Sequence, residues 1–202
     1  MFHVKHEGWG TAGPLGEALD ETARSRIELF EQMLLDRAIP WGMIAKSDAP
    51  RVRERHILDS LRAVPLLPAS GTMCDLGSGA GLPGVVLSIA RPDLGSVLIE
   101  VRRRRAAFLQ EVIVALELEN VEVFARSLET FRQEIDVCTA RALGSPASSW
   151  TAAERLLTPT GCLIYWAGTT FDAQRDVPDS ATARLFTTVG LARSGPLVIM
   201  TR

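Results

Sequence analysis

The residues best suited to chemistry lie in a glycine-rich turn that follows a short apolar segment. The turn reads DLGSGAGLPG over residues 75–84, with Gly77, Gly79 and Gly81 at alternate positions. Glycines at this spacing let the backbone turn tightly and lie close against a ligand, and the helix that follows would offer free N–H groups. Glu100 ends the next apolar segment, where its carboxylate could accept hydrogen bonds from both hydroxyls of a ribose. The pattern predicts a site for a cofactor that contains a ribose.

Two classes of cofactor compete for this turn. Residues 79–84 match the G-x-G-x-x-G fingerprint of dinucleotide-binding proteins. Asp75, however, precedes the first glycine, where a carboxylate would repel a pyrophosphate but would suit the sulfonium and ammonium groups of S-adenosylmethionine. The residues therefore favour a methyltransferase, while a dinucleotide site and a purely structural turn stay open as alternatives.

Strands and helices alternate from residue 72 onwards, and they must position this turn. Apolar segments predict strands over 72–76, 97–101, 121–125, 135–140, 161–166, 185–189 and 197–201, with helices over 82–90, 103–118 and 146–157. Repeated β-α units with apolar strands imply an α/β fold with a mostly parallel sheet covered on both faces.

Residues 1–69 have no strand pattern and predict an N-terminal helical extension to a domain over 70–202. An apolar stripe at helical spacing, from Ala23 to Leu34, predicts one helix. Asp48 is predicted to cap a second helix with Pro50 in its first turn, which ends near residue 65.

Composition limits the class of protein. The chain has 202 residues, 47% of them hydrophobic, and a net charge of −2, which excludes a disordered chain. No apolar run approaches the roughly 20 residues of a membrane span, and the first residues do not resemble a secretory signal. Three cysteines, odd in number and far apart, suit reduced thiols and predict a cytoplasmic protein.

Arginine dominates the basic residues. Of the 22 basic residues only Lys5 and Lys46 are lysines. The forked guanidinium is well shaped for phosphates, although a genomic bias towards arginine codons would give the same composition. Because the net charge is balanced, any nucleic-acid surface must be a local patch.

The turn and several other segments resemble the ribosomal RNA small subunit methyltransferase G family, also called glucose-inhibited division protein B. Beyond DLGSGAGLPG at 75–84, the similar segments occur in order from about residue 41 to 168. They are RHILDSL at 55–61, Glu100, Arg104-Arg105, Phe108-Leu109, Asn120-Val121, Arg126 with Glu129, and Arg141-Ala142.

The resemblance implies a Rossmann-like S-adenosylmethionine-dependent methyltransferase fold with seven strands, the last antiparallel. It also implies methyl transfer to N7 of one guanine in 16S ribosomal RNA near the decoding centre, so the partner would be that RNA or the small subunit. N7 carries a lone pair and no proton, so no general base is needed, and we predict no catalytic side chain and no metal. A methyltransferase for another substrate, or a non-catalytic binding module, remains the alternative, and a monomer is expected.

The resemblance extends to individual site residues. The predicted cofactor-binding residues are Gly77, Gly79, Gly81, Leu82, Glu100, Leu128, Glu129 and Arg141, with Leu128 and Glu129 beside the adenine. The predicted RNA-binding residues are Arg104, Arg105, Arg55 and His56, although the arginine run 102–105 could also be a solvated face.

Two segments depart from the family pattern. Residues 42–45 read GMIA where the family usually has Asn-Leu-Thr, and Ala167 replaces a usual lysine. Both positions are expected to border the RNA or the cofactor pocket. Trp41, just ahead of the first departure, could stack on RNA or pack between helices.

Overall fold

Seven strands form one sheet in a computed structural model that describes residues 19–187 and 195–202. The strand order is β3-β2-β1-β4-β5-β7-β6, and β7 runs antiparallel to both of its neighbours. This confirms the predicted methyltransferase topology. The strands are β1 Thr72–Leu76, β2 Gly95–Ile99, β3 Val121–Phe124, β4 Ile135–Arg141, β5 Leu157–Trp166, β6 Thr182–Phe186 and β7 Leu197–Thr201.

Helices cover the sheet and form the N-terminal part. The α-helices are α1 Glu21–Met33, α2 Asp59–Leu61, α3 Gly84–Ala90, α4 Arg103–Ala115, α5 Pro146–Glu154 and α6 Ala173–Asp176. Wider π-turns extend α1 over Leu34–Ala38 and precede α2 over Arg53–Leu58, and 3₁₀ turns lie at Lys46–Arg51, Val64–Leu66 and Leu128–Thr130. Within the described ranges no helix combines the length and apolarity that a membrane span requires.

The parallel pairing of β1, β2 and β4 brings the predicted site residues to one edge of the sheet. Leu76, the last residue of β1, pairs with Ile99 at the end of β2 and with Ala140 near the end of β4. The glycine turn follows β1, Glu100 follows β2, and Arg141 is the last residue of β4. All three therefore lie at the carboxyl ends of neighbouring strands, where open α/β sheets bind ligands.

The N-terminal helices share one hydrophobic core with the methyltransferase sheet. Ile27, Phe30 and Leu34 of the predicted stripe are fully buried, and they belong to the same cluster as Val85 of α3 and Phe108 of α4. The stripe over residues 23–34 therefore packs against the helices that cover β1 and β2. The described part of the N-terminal extension is a layer of the core.

Several predicted elements differ in their bounds from the structure, such as β5, which begins at Leu157 rather than at residue 161. Three differences have a clear physical reason. Asp48 does not cap a helix: the segment begins after Ala45 with a 3₁₀ turn, and the Asp48 carboxylate binds the side chains of Arg55 and His56. The second strand is Gly95–Ile99 rather than 97–101, because its pairing with β1 runs from Gly95 opposite Thr72 to Ile99 opposite Leu76. Val101 therefore lies beyond the strand. The sixth strand is Thr182–Phe186 rather than 185–189, set by its pairing with β7; residues 188 and 189 lie outside the described ranges.

Candidate active site

The turn after β1 has the left-handed backbone that its glycines predict. Gly77 has a φ of +68° and Gly79 a φ of +58°, a region in which side chains are strained. The turn is tied to the next strand because the Ser78 N–H donates to the Ile99 carbonyl at 2.9 Å. A Cβ built on Gly79 would make ordinary van der Waals contact with the Gly77 carbonyl oxygen at 3.8 Å, and Gly79 lines a groove.

Asp75 lies beneath the turn, and the interpretation that it faces a cationic cofactor is wrong. Its side chain is buried, and its carboxylate accepts hydrogen bonds from Gly84 N at 3.2 Å and Thr139 Oγ1 at 2.7 Å. Burial raises the pKa of Asp75 to about 6. The carboxylate thus ties the glycine turn to α3 and β4 and acts on the site through the backbone.

Gly81 lies against the helices behind the turn. A Cβ at this position would lie 2.6 Å from Val85 Cγ2 and 3.2 Å from Phe30 Cζ and Leu109 Cδ2. The structure brings Gly81 against α1, α3 and α4 instead of against the ligand grooves. The missing side chain therefore permits the close packing of helices behind the turn, and the contact of Gly81 with the cofactor stays a prediction.

Two adjoining grooves meet at the turn. The sheet-edge groove, about 740 Å³, is lined by Gly77, Glu100, Leu128 and Glu129, with apolar walls from Val101 and Leu143. The turn groove, about 350 Å³, is lined by residues that include Gly77, Gly79, Leu82, His56 and Arg141. Both grooves share Gly77, Arg105 and Ala142. Seven of the eight predicted cofactor residues therefore lie along one continuous depression.

A third groove adjoins the turn groove on the side of the N-terminal helices. This N-terminal groove, about 530 Å³, is lined by Arg51, Arg55, Arg62 and Arg141, with Glu54 and Asp59 as the carboxylates. Ala142 lines all three grooves and has a left-handed φ of +54°. A strained non-glycine residue of this kind costs about 1–3 kcal/mol and occurs preferentially at functional sites.

Glu100 is held in place by the backbone. Its Oε2 accepts from Gly79 N at 3.0 Å and its Oε1 from Arg102 N at 2.8 Å. An ionised carboxylate has about four acceptor positions, so two remain for a ligand. The carboxylate is nearly buried, and Arg105 Nη1 lies 3.9 Å from Oε2.

His56 links the N-terminal helices to the end of β4. Its Nδ1 lies 3.1 Å from Arg141 Nη2, and its Nε2 lies 3.1 Å from Asp48 Oδ2. Burial and the neighbouring Arg141 lower the pKa of His56 from 6.5. Because folding lowers this pKa, the stability contributed by neutral His56 is present above about pH 6.5 and is lost as the pH falls.

Arg141 is surrounded by N-terminal groups. Its Nη2 donates to the Arg55 carbonyl at 2.8 Å and lies 3.4 Å from Asp59 Oδ2. Its Nη1 is buried and has no hydrogen-bond partner among the described residues. Arg141 lines both the turn groove and the N-terminal groove, so one cation borders two binding spaces.

The structure separates the two arginines that were predicted to bind RNA together. Arg105 lies in the depression beside Glu100. Arg104 is exposed, with its guanidinium 4.7 Å from the centre of the Trp41 ring, and Arg37 lies 4.8 Å from the same ring. Trp41 also packs edge-on against Phe108. Trp41 therefore packs between helices. Of the two arginines, Arg105 lines the grooves at the turn and Arg104 lies outside them.

Sequence reasoning missed two apolar residues at the sheet-edge groove. Val101 is 63% exposed and Leu143 is 40% exposed, although both are large and apolar. Val101 directly follows Glu100 and Leu143 follows shortly after Arg141, so their positions in the sequence suggested a place near the site. Whether their side chains are exposed depends on how the whole edge of the sheet packs. Both departures from the family pattern lie at grooves: residues 43–45 line the turn groove and Ala167 lines the N-terminal groove.

A family profile and individual relatives agree on one family for this chain. A profile described as rRNA small subunit methyltransferase G matches residues 23–184. A Granulibacter bethesdensis protein named Ribosomal RNA small subunit methyltransferase G is 36% identical over 189 residues, which is 90% of this chain and 87% of that protein. A protein of the same name from a Nocardioides species is 39% identical over 146 residues, which is 71% of this chain. The aligned region spans only 58% of the Nocardioides relative.

Solved structures agree on the fold. A SAM-dependent methyltransferase from Aquifex aeolicus superimposes with a TM-score of 0.58 at 17% identity, covering 78% of this chain and 96% of that one. At this identity the likeness concerns the fold alone. The family profile, in contrast, spans the glycine turn, Glu100 and Arg141, and with the two relatives it shows that the chain belongs to the rRNA small subunit methyltransferase G family.

Proposed function

We propose that the protein transfers a methyl group from S-adenosylmethionine to N7 of one guanine in 16S ribosomal RNA near the decoding centre. The observation that carries this proposal is the continuous depression around Gly77, which runs from Glu100 to Arg141 and opens onto an arginine-lined groove. The names of the relatives support ribosomal RNA of the small subunit as the substrate. We also propose that the protein acts as a cytoplasmic monomer.

The residues along the depression fit S-adenosylmethionine. The sheet-edge groove would hold adenosine, with Glu100 at the ribose, Leu128 and Glu129 at the base edge, and the exposed apolar walls at its faces. The turn groove would hold the methionine part against the backbone of Gly79, which lines it. Arg141 Nη1, a cationic donor that lacks an acceptor among the described residues, suits a carboxylate.

The chain contributes alignment and exclusion of water. Bound S-adenosylmethionine supplies an electrophilic methyl group on its sulfonium. Guanine N7 needs no deprotonation, and both ring nitrogens of His56, which lines the turn groove, already have partners. Met43, Ile44 and Leu82 place apolar atoms in the same groove, where they would exclude water from the reacting atoms. Holding the nucleophile and the methyl group in line supplies the catalysis.

The RNA would approach from the N-terminal groove. Arg51 and Arg55 are exposed there, and the groove joins the turn groove at Arg141 and Ala142. A base entering along this route would reach the methionine end of the cofactor. Exposed arginines at the groove edge would contact the phosphates.

Nucleoside mass spectrometry of 16S ribosomal RNA tests the proposed function. Cells without this gene should lose N7-methylguanosine at one site. The wild-type gene should restore the modification, and the Glu100→Ala variant should not. Unchanged N7-methylguanosine in the deletion strain would contradict the proposal. In that case, binding of S-adenosylhomocysteine by the purified protein would indicate a methyltransferase for another substrate. Absence of this binding would indicate a non-catalytic binding module.

Replacing Arg104 alone should weaken RNA binding without affecting the cofactor. Each phosphate contact contributes about 0.7–0.9 to the slope of log affinity against log salt, so Arg104→Ala should reduce that slope by about this amount. Affinity for S-adenosylhomocysteine should stay unchanged because Arg104 points towards Trp41.

Arg184→Ala provides the matched control. Arg184 is an exposed arginine on β6, at the far edge of the sheet, so its loss should leave the slope as in wild type. Equal slopes for Arg104→Ala and wild type would mean that Arg104 is solvated and that the RNA contacts lie elsewhere.

A further inference from the structure

The contact between His56 and Arg141 defines the protonation state of the histidine. A guanidinium can only donate hydrogen bonds, so His56 Nδ1, 3.1 Å from Arg141 Nη2, must carry a lone pair. The proton of the neutral ring then lies on Nε2, which donates to Asp48 Oδ2 at 3.1 Å. Asp48 thereby selects the only tautomer in which the histidine accepts from Arg141.

The charges around this contact favour the same arrangement. Arg55 Nη1 lies 2.5 Å from Asp48 Oδ1, so the carboxylate is anchored on its other oxygen. The Arg141 guanidinium also faces Asp59 and lies near enough to Asp75 for their charges to interact. A proton on His56 Nδ1 would place a second donor against Arg141 Nη2 and would break the contact.

Arg141 is oriented through a single nitrogen, which hydrogen-bonds to two acceptors and forms an ion pair with a carboxylate. Its Nη2 faces His56 Nδ1, the Arg55 carbonyl and Asp59 Oδ2, while Nη1 has no partner among the described residues. The contacts hold the guanidinium from the N-terminal side at the boundary of the turn groove. The remaining nitrogen, Nη1, is buried without a partner among the described residues, so it is the donor left for an acceptor that a ligand would bring.

We infer that Asp48 and His56 are positioning residues, which orient Arg141 towards the carboxylate of the methionine part of the cofactor. This inference rests on the proposed function, since S-adenosylmethionine provides that carboxylate. It assigns no chemical step to His56. It explains why a histidine and an aspartate of the N-terminal helices lie, with Gly79 and Leu82, along the same groove.

Two conservative substitutions of His56 separate positioning from packing. The amide of asparagine occupies the position of Nδ1, so His56→Asn keeps an acceptor for Arg141 and loses the donor to Asp48. The amide of glutamine occupies the position of Nε2, so His56→Gln keeps the donor to Asp48 and loses the acceptor for Arg141. A residue that only filled space would respond similarly to both changes.

Calorimetry with S-adenosylhomocysteine, which carries the same carboxylate, measures the outcome. His56→Gln should lose about tenfold in affinity, the size expected for one misplaced charge-assisted hydrogen bond, and His56→Asn should remain within about threefold of wild type. In an Arg141→Met background the two variants should bind equally, because the positioned group is gone. Equal losses for His56→Gln and His56→Asn in the wild-type background would overturn the inference.

Nuclear magnetic resonance tests the geometry without any ligand. Long-range ¹H–¹⁵N correlations of the full-length protein at neutral pH should show His56 with its proton on Nε2. The pKa of His56 should rise when Arg141 is replaced by methionine. Asp48→Asn should shift the ring towards the Nδ1-protonated form. A wild-type ring protonated on Nδ1 would overturn the inference. Failure of wild type to bind S-adenosylhomocysteine, with the predicted tautomer intact, would instead contradict the proposed function.

Discussion

Replacing Glu100 with alanine should weaken the binding of S-adenosylhomocysteine by at least about tenfold. Hydrogen bonds to a charged group contribute about 1.5–3 kcal/mol each, and loss of the carboxylate would remove the proposed bonds to both ribose hydroxyls. It would also release Gly79 N and Arg102 N, which the carboxylate holds at 3.0 and 2.8 Å. The glycine turn would thereby lose an anchor at the same time, and isothermal titration calorimetry measures the combined effect.

Two control variants separate these contributions. Glu100→Gln keeps one oxygen acceptor and the shape of the side chain, so its loss should be smaller than that of alanine. Glu122→Ala removes an exposed carboxylate on β3, outside the residues that line the grooves described above, and should bind as wild type does. Wild-type affinity in Glu100→Ala would show that this carboxylate does not contact the ribose.

Replacing Phe30 with alanine should lower the free energy of unfolding of the whole chain by about 3–5 kcal/mol, the usual cost of a buried phenylalanine. Phe30 is fully buried in α1, in the same core cluster as Val85 and Phe108. Its ring also lies behind the glycine turn, 3.2 Å from where a Gly81 side chain would begin. Urea unfolding followed by circular dichroism measures the change.

The neighbouring Leu29 gives the matched control. It is 45% exposed on the same helix, so Leu29→Ala should change the free energy of unfolding by less than about 1 kcal/mol. Because the N-terminal helices share a core with α3 and α4, the Phe30→Ala variant should still unfold in one transition. A separate early transition of the N-terminal helices, with the sheet unaffected, would contradict the shared core.

Local sequence predicted a mostly parallel sheet with a site at the carboxyl ends of its strands, while the resemblance to the family implied the antiparallel last strand. The apolar segments gave β1 with its observed bounds and all seven strands in order. The central strands β1, β2 and β4 are runs of largely buried residues, which is the pattern that a sheet covered on both faces requires. The alternate glycines predicted a tight turn. Gly77 and Gly79 have φ values of +68° and +58°, which glycine adopts without the steric cost that a side chain would add. Glu100 lies directly after β2 and lines a groove, because parallel strands bring their carboxyl ends to one edge; its contact with the ribose stays a prediction.

Only the tertiary structure decided which way the polar side chains of this edge point. Asp75 lies one residue before the end of β1 and Glu100 directly follows β2, yet Asp75 is tied beneath the turn by Thr139 while Glu100 lines a groove. Arg104 and Arg105 are adjacent in sequence but diverge, to Trp41 and to Glu100. Partners such as Thr139, His56 and Trp41 come from distant parts of the chain. A side chain's direction follows from those partners, so spacing along the sequence could not determine it.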